Sequence, residues 1–150
     1  MKYSLSNLLK YKGYDRVPLK KTASGHYICS ILLNGVSGNF IVDTGASHTC
    51  VSYDKEVAFK LNVSSTKQQA ATASTTDMQT RQSQDNVLKV GAWEGQQFEV
   101  ILFDMTSVNS ALEKLGVTTV DGILGADVLE RTKAVLDYNR SGLYLKLNVN

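Results

Sequence analysis

An acidic side chain stands where an apolar run of this chain stops. Residues 40–47 read Phe-Ile-Val-Asp-Thr-Gly-Ala-Ser, so that Asp43 follows the apolar run and is itself followed by Thr44 and Gly45. A carboxylate buried at the end of a hydrophobic strand is unfavourable unless hydrogen bonds compensate it. A neighbouring hydroxyl and a glycine turn that exposes backbone N–H groups supply such bonds. The segment therefore predicts an acid that is held in position for chemistry.

A second segment supports this interpretation. Asp-Thr-Gly alone is also common at ordinary junctions between a strand and a turn. Much later, however, residues 120–129 read Val-Asp-Gly-Ile-Leu-Gly-Ala-Asp-Val-Leu, in which two apolar residues and a glycine precede a short helical pattern. Residues 134–138 follow as Ala-Val-Leu-Asp-Tyr. The combination favours a functional site over a chance turn.

Together these three segments resemble the retropepsin-like aspartic proteases, especially their small single-domain bacterial members. The resemblance covers roughly residues 25–147. It implies a mainly β fold, the closed barrel of the acid proteases with one or two short helices, and it implies aspartic endopeptidase activity on a peptide or protein substrate.

The resemblance also implies a pair of carboxylates. In the known aspartic proteases two close carboxylates share one proton, so the pair holds an acid and a base together. This chain of 150 residues contains one Asp-Thr-Gly. An identical chain across a two-fold axis must then supply the second acid. We expect a homodimer in which one Asp43 deprotonates a water and the other assists the developing oxyanion, with no metal and no cofactor.

Further site residues follow from the resemblance. The hydroxyl of Thr44 is expected to bond across the two-fold axis, and the N–H of Gly45 to point toward the carboxylates. Ala46 and Ser47 are expected to face the substrate backbone. Cys50 stands where the family often lines a substrate pocket, although a small core residue is the more ordinary role for it.

Two other segments receive roles in the same way. The segment packed beneath the active loop is expected to comprise Ile123, Leu124 and Gly125. A flap over the substrate is expected within residues 70–82, with its tip at residues 73–77 and substrate contacts from Ala73, Ser74 and Thr75. Retroviral relatives have glycines at this tip, whereas no glycine occurs here between Gly45 and Gly91.

Three alternatives remain at the level of sequence. Asp121 could form a dyad with Asp43 inside one chain, although it reads as a turn residue. The four side chains His26, Cys29, His48 and Cys50 could bind zinc, although their spacing matches no common zinc signature. The same fold could serve as a peptide-binding or dimerisation module without turnover.

Length and charge set the remaining bounds. The chain is predicted to be one retropepsin-like domain over residues 25–150, preceded by a basic arm or short helix over residues 1–24. Its net charge is +2, and six of its 16 basic residues lie in the first 21 positions against one acid, which favours a solvated arm over a nucleic-acid or membrane contact. With two cysteines and no apparent signal peptide, a cytoplasmic location is expected, or a periplasmic or secreted one if an upstream signal was removed.

Local patterns predict the elements that must position the site. Strand formers on both sides of a turn at 34–38 predict a hairpin over 26–43. Helical spacing predicts short helices over 4–12, 54–61 and 107–115. Strands are predicted over 48–53, 87–90 and 98–103, and a terminal hairpin over 133–147.

Overall fold

The computed structural model of the chain describes residues 3–65 and 81–148. Within these ranges the chain is mainly β with short helices, as predicted. The elements are α1 (Leu5–Tyr11), β1 (Tyr14–Pro18), β2 (Lys20–Lys21), β3 (Tyr27–Leu33), β4 (Val36–Val42), β5 (Cys50–Ser52), a 3-10 helix (Tyr53–Lys55), β6 (Val63–Ser65), β7 (Arg81–Val90), β8 (Trp93–Phe103), α2 (Thr106–Lys114), β9 (Gly122–Leu124), α3 (Ala126–Arg131), β10 (Val135–Asp137) and β11 (Gly142–Lys146).

Six strands close into a barrel. They pair in the order β3, β4, β9, β5, β8 and β7, and β7 pairs back onto β3 to complete the ring. Closure leaves no free edge among these strands, which removes a common route to aggregation. The inward side chains form the main hydrophobic core, with Leu33, Phe40, Val51, Leu88 and Leu124 fully buried. The predicted closed barrel is confirmed.

A separate sheet joins the two ends of the chain. Its strand order is β1, β11, β10, with Tyr14 opposite Lys146 and Pro18 opposite Gly142. The N-terminal strand therefore belongs to the folded body, and its Val17 is buried in the main core. The sequence patterns did not predict this strand, and the domain boundary at residue 24 stays a prediction.

Side chains anchor β1 to its own chain. The Tyr14 hydroxyl donates to the carbonyl oxygen of Lys133 over 2.9 Å, and the Arg16 guanidinium donates to that of Arg140 over 2.7 Å. The carboxylate of Asp15 accepts from the N–H of Ala92 over 2.8 Å. These contacts hold β1 between the β7–β8 turn and the chain around β10.

The helix predicted over residues 54–61 is wrong. Only the single turn of 3-10 helix forms there, and hydrogen-bonded turns follow it. A helix over these residues with its apolar side chains on one face would turn Val57 inward, but Val57 is 88% exposed. Phe59 turns into the core instead and packs edge-on against Phe40, with 6.1 Å between the ring centroids. Burying one large ring thus outweighs the regular helix that the pattern indicated.

A buried asparagine fixes an irregularity in β7. The ladder between β7 and β8 shifts register on both sides of Asn86. The Asn86 side-chain amide donates to the carbonyl oxygens of Ser83 and Phe98, each over 3.0 Å, and its oxygen accepts from Asn34 over 2.9 Å. The side chain replaces the ladder bonds that the bulge removes, so the bulge is a specified feature of the barrel.

Candidate active site

Two parallel strands deliver Asp43 to the surface. β4 and β9 pair with Ile41 opposite Ile123 and Val42 opposite Leu124. The pairing continues one step further, because the N–H of Asp43 donates to the carbonyl oxygen of Leu124 over 3.0 Å. The main chain of Asp43 is therefore fixed by the barrel itself, although its side chain lies beyond the barrel's end.

The turn after β4 is tight and exposed. The Gly45 N–H donates to Oδ1 of Asp43 over 2.9 Å, and the Ala46 N–H donates to the Asp43 carbonyl oxygen over 3.3 Å. Asp43, Thr44 and Gly45 are all exposed. The sequence pattern indicated a buried carboxylate, whereas in the single chain the carboxylate lies in the open. Its glycine partner, however, lies where the sequence predicted it.

A second loop, which leads into α3, is hydrogen-bonded to the chain that follows the Asp43 turn. The Thr49 N–H and hydroxyl both donate to the Asp127 carboxylate, over 2.9 and 2.7 Å, and the Val128 N–H donates to the same group over 2.8 Å. The Thr49 hydroxyl in turn accepts from the Gly125 N–H over 3.1 Å. Thr49 is fully buried. The carboxylate of Asp127 thus connects the chain after the Asp43 turn to the start of α3.

The sequence did not predict these hydrogen bonds between Thr49 and Asp127, which we call the Thr49–Asp127 lock. The short helical pattern predicted after Gly125 includes Asp127, which the structure places in the first turn of α3, but Thr49 received no role in the site. The one available signal was an acid two positions after Gly125 in the companion segment. Nothing in the local pattern indicates that a threonine 78 residues earlier supplies its partners.

Close backbone contact explains the glycine of the companion segment. A Cβ atom on Gly125 would lie 2.7 Å from the His48 carbonyl carbon and oxygen and 2.8 Å from the Ala46 carbonyl oxygen. The Ala126 N–H donates to that same Ala46 oxygen over 2.7 Å. The predicted supporting segment therefore does lie against the Asp43 turn, with Leu124 and Gly125 buried and Ile123 half-buried.

The residues expected to face substrate, Ala46, Ser47 and Cys50, differ from one another in burial and in hydrogen bonding. Ala46 is half-buried and Ser47 is exposed, with its hydroxyl 2.9 Å from Nδ1 of His48. Cys50 is half-buried, and its thiol donates to the His48 carbonyl oxygen over 3.3 Å. Burial raises the pKa of Cys50 to about 11, and the negative charges of Asp127 and Asp43 add to the effect. The group is therefore a neutral thiol at physiological pH.

The flap residues Ala73, Ser74 and Thr75 lie outside the described residues. Their predicted roles therefore stay predictions, as do the catalytic and substrate-binding roles of the residues described above.

Asp121 cannot form a dyad with Asp43 in the same chain. Its backbone N–H donates to the Asn39 carbonyl oxygen, and its carboxylate accepts from the Asn39 N–H over 2.9 Å and pairs with Lys55 at 3.5 Å. Asn39 lies four residues before Asp43 on the same strand. At about 3.3 Å per residue, roughly 13 Å of strand separates the two acids.

The candidate zinc ligands do not converge. Within residues 3–65 and 81–148, no three His, Cys, Asp or Glu side chains form a group that could hold a metal ion. His26 is exposed, with its Nδ1 atom 2.8 Å from the Ser24 hydroxyl, and Cys29 is buried. In the same part of the chain, no helix is long and apolar enough to cross a membrane.

Known structures share this architecture. A retropepsin-like aspartic protease from Rickettsia conorii superposes with a TM-score of 0.62 at 18% identity, covering 88% of this chain and 90% of the other. EIAV protease in complex with an inhibitor gives 0.55 at 15%, covering 79% and 98%. The retroviral protease-like domain of a Leishmania major protein gives 0.51 at 14%, covering 82% and 89%. At these identities the likeness establishes a retropepsin-like fold.

The family follows from the sequence itself. No curated protein matches the chain. A family model described as aspartyl protease, however, matches residues 29–128, which include both the Asp43 turn and the companion segment up to Val128. This chain belongs to the aspartyl protease family.

Proposed function

We propose that the protein is a homodimeric aspartic endopeptidase in which the two Asp43 carboxylates, one from each subunit, activate a water molecule. The observation that carries the proposal is the placement of Asp43. Its main chain is bonded to β9, its carboxylate accepts from Gly45, and its remaining surface is open to a partner and a substrate.

The chemistry needs two acids in contact. One Asp43 takes the proton of the attacking water while the other donates a hydrogen bond to the oxygen of the scissile carbonyl. In this mechanism the two carboxylates share one proton and act as one unit.

The neighbouring residues have supporting roles in this proposal. The exposed Thr44 forms no hydrogen bond through its hydroxyl within the described residues, so that group is free to bond across the two-fold axis. Ala46 and Ser47 border the site and face the substrate backbone. The segment from Ile123 to Gly125 holds the turn in place from beneath.

Replacing Asp43 with Asn tests the proposal. The side chain keeps its size and can still accept from Gly45, but it cannot act as an acid or base. Peptide cleavage is expected to fall by about a thousandfold, within the range of acid–base contributions. The measurement is turnover of a fluorogenic peptide library, with circular dichroism to verify the fold.

The matched control is Asp121→Asn, which changes an acid immediately before the adjacent strand β9. Its cleavage activity is expected to stay within a factor of three or so of the unsubstituted protein, since Asp121 lies far from the reacting atoms. Undiminished cleavage by the Asp43→Asn variant would overturn the proposal.

One observation favours a second candidate, a peptide-binding module without turnover. No glycine occurs between Gly45 and Gly91, where retroviral relatives carry flexible flap tips. This alternative predicts peptide binding with no cleavage by either the unsubstituted protein or the Asp43→Asn variant.

A further inference from the structure

We infer that the cleft beside Asp43 is a substrate subsite for an acidic side chain, and that His26 is the residue that selects this side chain. The inference rests on the proposed function, because the substrate peptide must lie against the Asp43 turn. It adds the chemical class of side chain, a carboxylate, that the peptide carries close to the scissile bond. His26 has no part in the mechanism proposed above.

Strand register places His26 beside the Asp43 turn. β3 and β4 pair with Ile28 opposite Ile41, and the same register continued by two residues brings His26 opposite Asp43. Residues directly opposite on paired strands direct their side chains to the same face of the sheet. Both residues also line one cleft of about 360 Å³. A peptide held at the Asp43 carboxylate therefore passes within reach of His26.

A chain of two hydroxyl groups fixes the imidazole of His26. The Thr22 hydroxyl donates to the His26 carbonyl oxygen over 3.2 Å and lies 2.7 Å from the Ser24 hydroxyl, which lies 2.8 Å from Nδ1 of His26. Each hydroxyl has one proton to donate. Because Thr22 gives its proton to the carbonyl oxygen, Ser24 must donate to Thr22 and accept from the Nδ1–H group. Nε2 is thus the ring atom left for a ligand, and a second proton there makes the ring a cation.

The turn between β2 and β3, which carries His26, is basic. Residues 20–27 include Lys20, Lys21 and His26 and no acid. Lys21 lies opposite Tyr27, and its Nζ atom is 5.9 Å from the centroid of the Tyr27 ring, which itself lines the cleft. The quadrupole of an aromatic ring attracts a cation held over its face. His26 therefore lies in the cleft with Lys21 beside one of its walls.

The acids near the cleft leave these cations without a partner. Within the described residues, no ion pair involves His26 or Lys21. The Asp137 carboxylate accepts from the N–H groups of the next turn, over 3.0 and 3.3 Å. Among the described residues that line the cleft, Asp43 is the one acid, and the reaction uses it. A carboxylate of the substrate would pair with the cations, whereas a substrate lysine would meet like charges.

The walls of the cleft favour a long acidic side chain. The rings of Tyr27 and Tyr138 lie 5.2 Å apart, centroid to centroid, and Ile41 and Leu136 also line the cleft. Methylene groups can pack on this apolar surface while the charged end reaches the basic groups. Glutamate has one methylene more than aspartate, so its charge can lie further from Asp43, which repels it. We therefore expect Glu to be preferred over Asp.

The test compares peptides that differ in one side chain. A fluorogenic peptide that the protein cleaves is resynthesised with Glu, Gln or Lys at each of the three positions on either side of the scissile bond. Assays are run at a constant pH of about 6, at which most free histidine side chains are protonated. At one position or more, kcat/KM is expected to be about fivefold higher for Glu than for Gln, as for an exposed ion pair, and lowest for Lys.

Substitutions of the exposed His26 change the charge of the cleft. His26→Gln is expected to reduce the Glu-to-Gln ratio to about twofold or less, and His26→Arg, which restores a cation, is expected to keep it. His26→Glu is expected to invert the preference, so that Lys is favoured over Glu. The matched control is Lys89→Glu, which removes an exposed cation of β7 outside the cleft and is expected to leave the ratio unchanged. Circular dichroism verifies the fold of each variant.

Peptide binding separates this inference from the proposed function. The same peptides are titrated by fluorescence anisotropy against Asp43→Asn, alone and combined with the His26 substitutions. Where no peptide is cleaved, the library peptide that binds most tightly is varied in their place.

Two outcomes decide between the claims. If no position favours Glu in cleavage or in binding, or if His26→Glu leaves the preference unchanged, the inference is wrong, even where Asp43→Asn abolishes cleavage. If binding favours Glu through His26 while cleavage never depends on Asp43, the subsite is supported and the proposed function is wrong.

Discussion

The two aspartates on either side of the site have opposite surroundings. Asp43 is exposed and accepts a single side-chain hydrogen bond within the described chain, from Gly45. Asp127 is half-buried and accepts three, two from Thr49 and one from Val128. A carboxylate whose oxygens are already satisfied stabilises the fold, whereas one with free oxygens remains available for chemistry. We therefore expect substitutions of Asp127 to lower the stability of the fold and substitutions of Asp43 to lower activity with little loss of stability.

The largest effect on stability is expected from Asp127→Ala. It leaves the buried N–H and hydroxyl of Thr49 without their acceptor, and each unsatisfied buried group costs about 1–3 kcal/mol. The free energy of unfolding is expected to fall by about 2–4 kcal/mol. Urea denaturation at fixed protein concentration measures it.

Asp43→Ala is the corresponding substitution of the exposed acid. It removes a single exposed hydrogen bond, so the expected loss of stability is about 0.5 kcal/mol or less, whereas the proposed function predicts the loss of cleavage. Equal losses of stability in the two alanine variants would show that the proposed division of roles between the acids is wrong.

The next effect is expected from Gly125→Ala. The new methyl group would overlap backbone atoms of His48 and Ala46, which are held from both sides and cannot move independently. Overpacking of this kind costs about 1–3 kcal/mol. Thermal unfolding at constant concentration provides the measurement.

Gly45→Ala is the corresponding substitution in the Asp43 turn, to be compared in stability with Gly125→Ala. Its Cβ would meet only Oδ1 of Asp43, at 3.3 Å, and an exposed side chain can adjust. A change in stability of less than about 1 kcal/mol is expected. A larger loss for Gly45→Ala than for Gly125→Ala would contradict the close packing described for the second loop.

The last comparison concerns Cys50, whose pKa is raised first by burial and then by the negative charges of Asp127 and Asp43. Because its pKa is raised to about 11, the thiolate fraction at pH 8 is about a hundredfold below that of an ordinary thiol. Alkylation by iodoacetamide is expected to be slower by about that factor and to accelerate up to pH 11 or so. Mass spectrometry of the modified peptide follows the rate.

Removing one nearby negative charge is expected to lower that pKa slightly. Asp43→Asn should therefore speed the alkylation of Cys50 by a few-fold at constant pH, while Cys29, whose pKa burial raises to about 12, stays unreactive. An unchanged rate in this variant would show that the Asp43 charge does not reach the thiol.

The elements that the sequence predicted are those set by local patterns. The hairpin around Asn34, the helix that became α2 and the terminal hairpin all combine a turn signal with regular spacing, and each is confirmed. The Asp43 turn was also predicted, because the residues that shape it are consecutive.

The elements that the sequence did not predict depend on distant partners. β1 has a mixed sequence of Tyr-Asp-Arg-Val-Pro, and its ladder is formed with residues more than 120 positions away. The Thr49–Asp127 lock likewise joins two segments through the fold alone. The helix predicted over 54–61 does not form, and Phe59 in that segment packs on Phe40, a contact that no local pattern contains.

The asparagine that fixes the β7 bulge has a consequence for the length of the segment before it. Asn86 ties β7 to both β8 and the turn after β3, and this tie comes after residues 66–80 in the chain. Insertions or deletions within residues 66–80 would therefore alter that segment alone, because slippage of β7 would have to break the amide contacts first. The barrel is therefore expected to keep its strand pairing when engineered variants lengthen or shorten the chain that precedes β7.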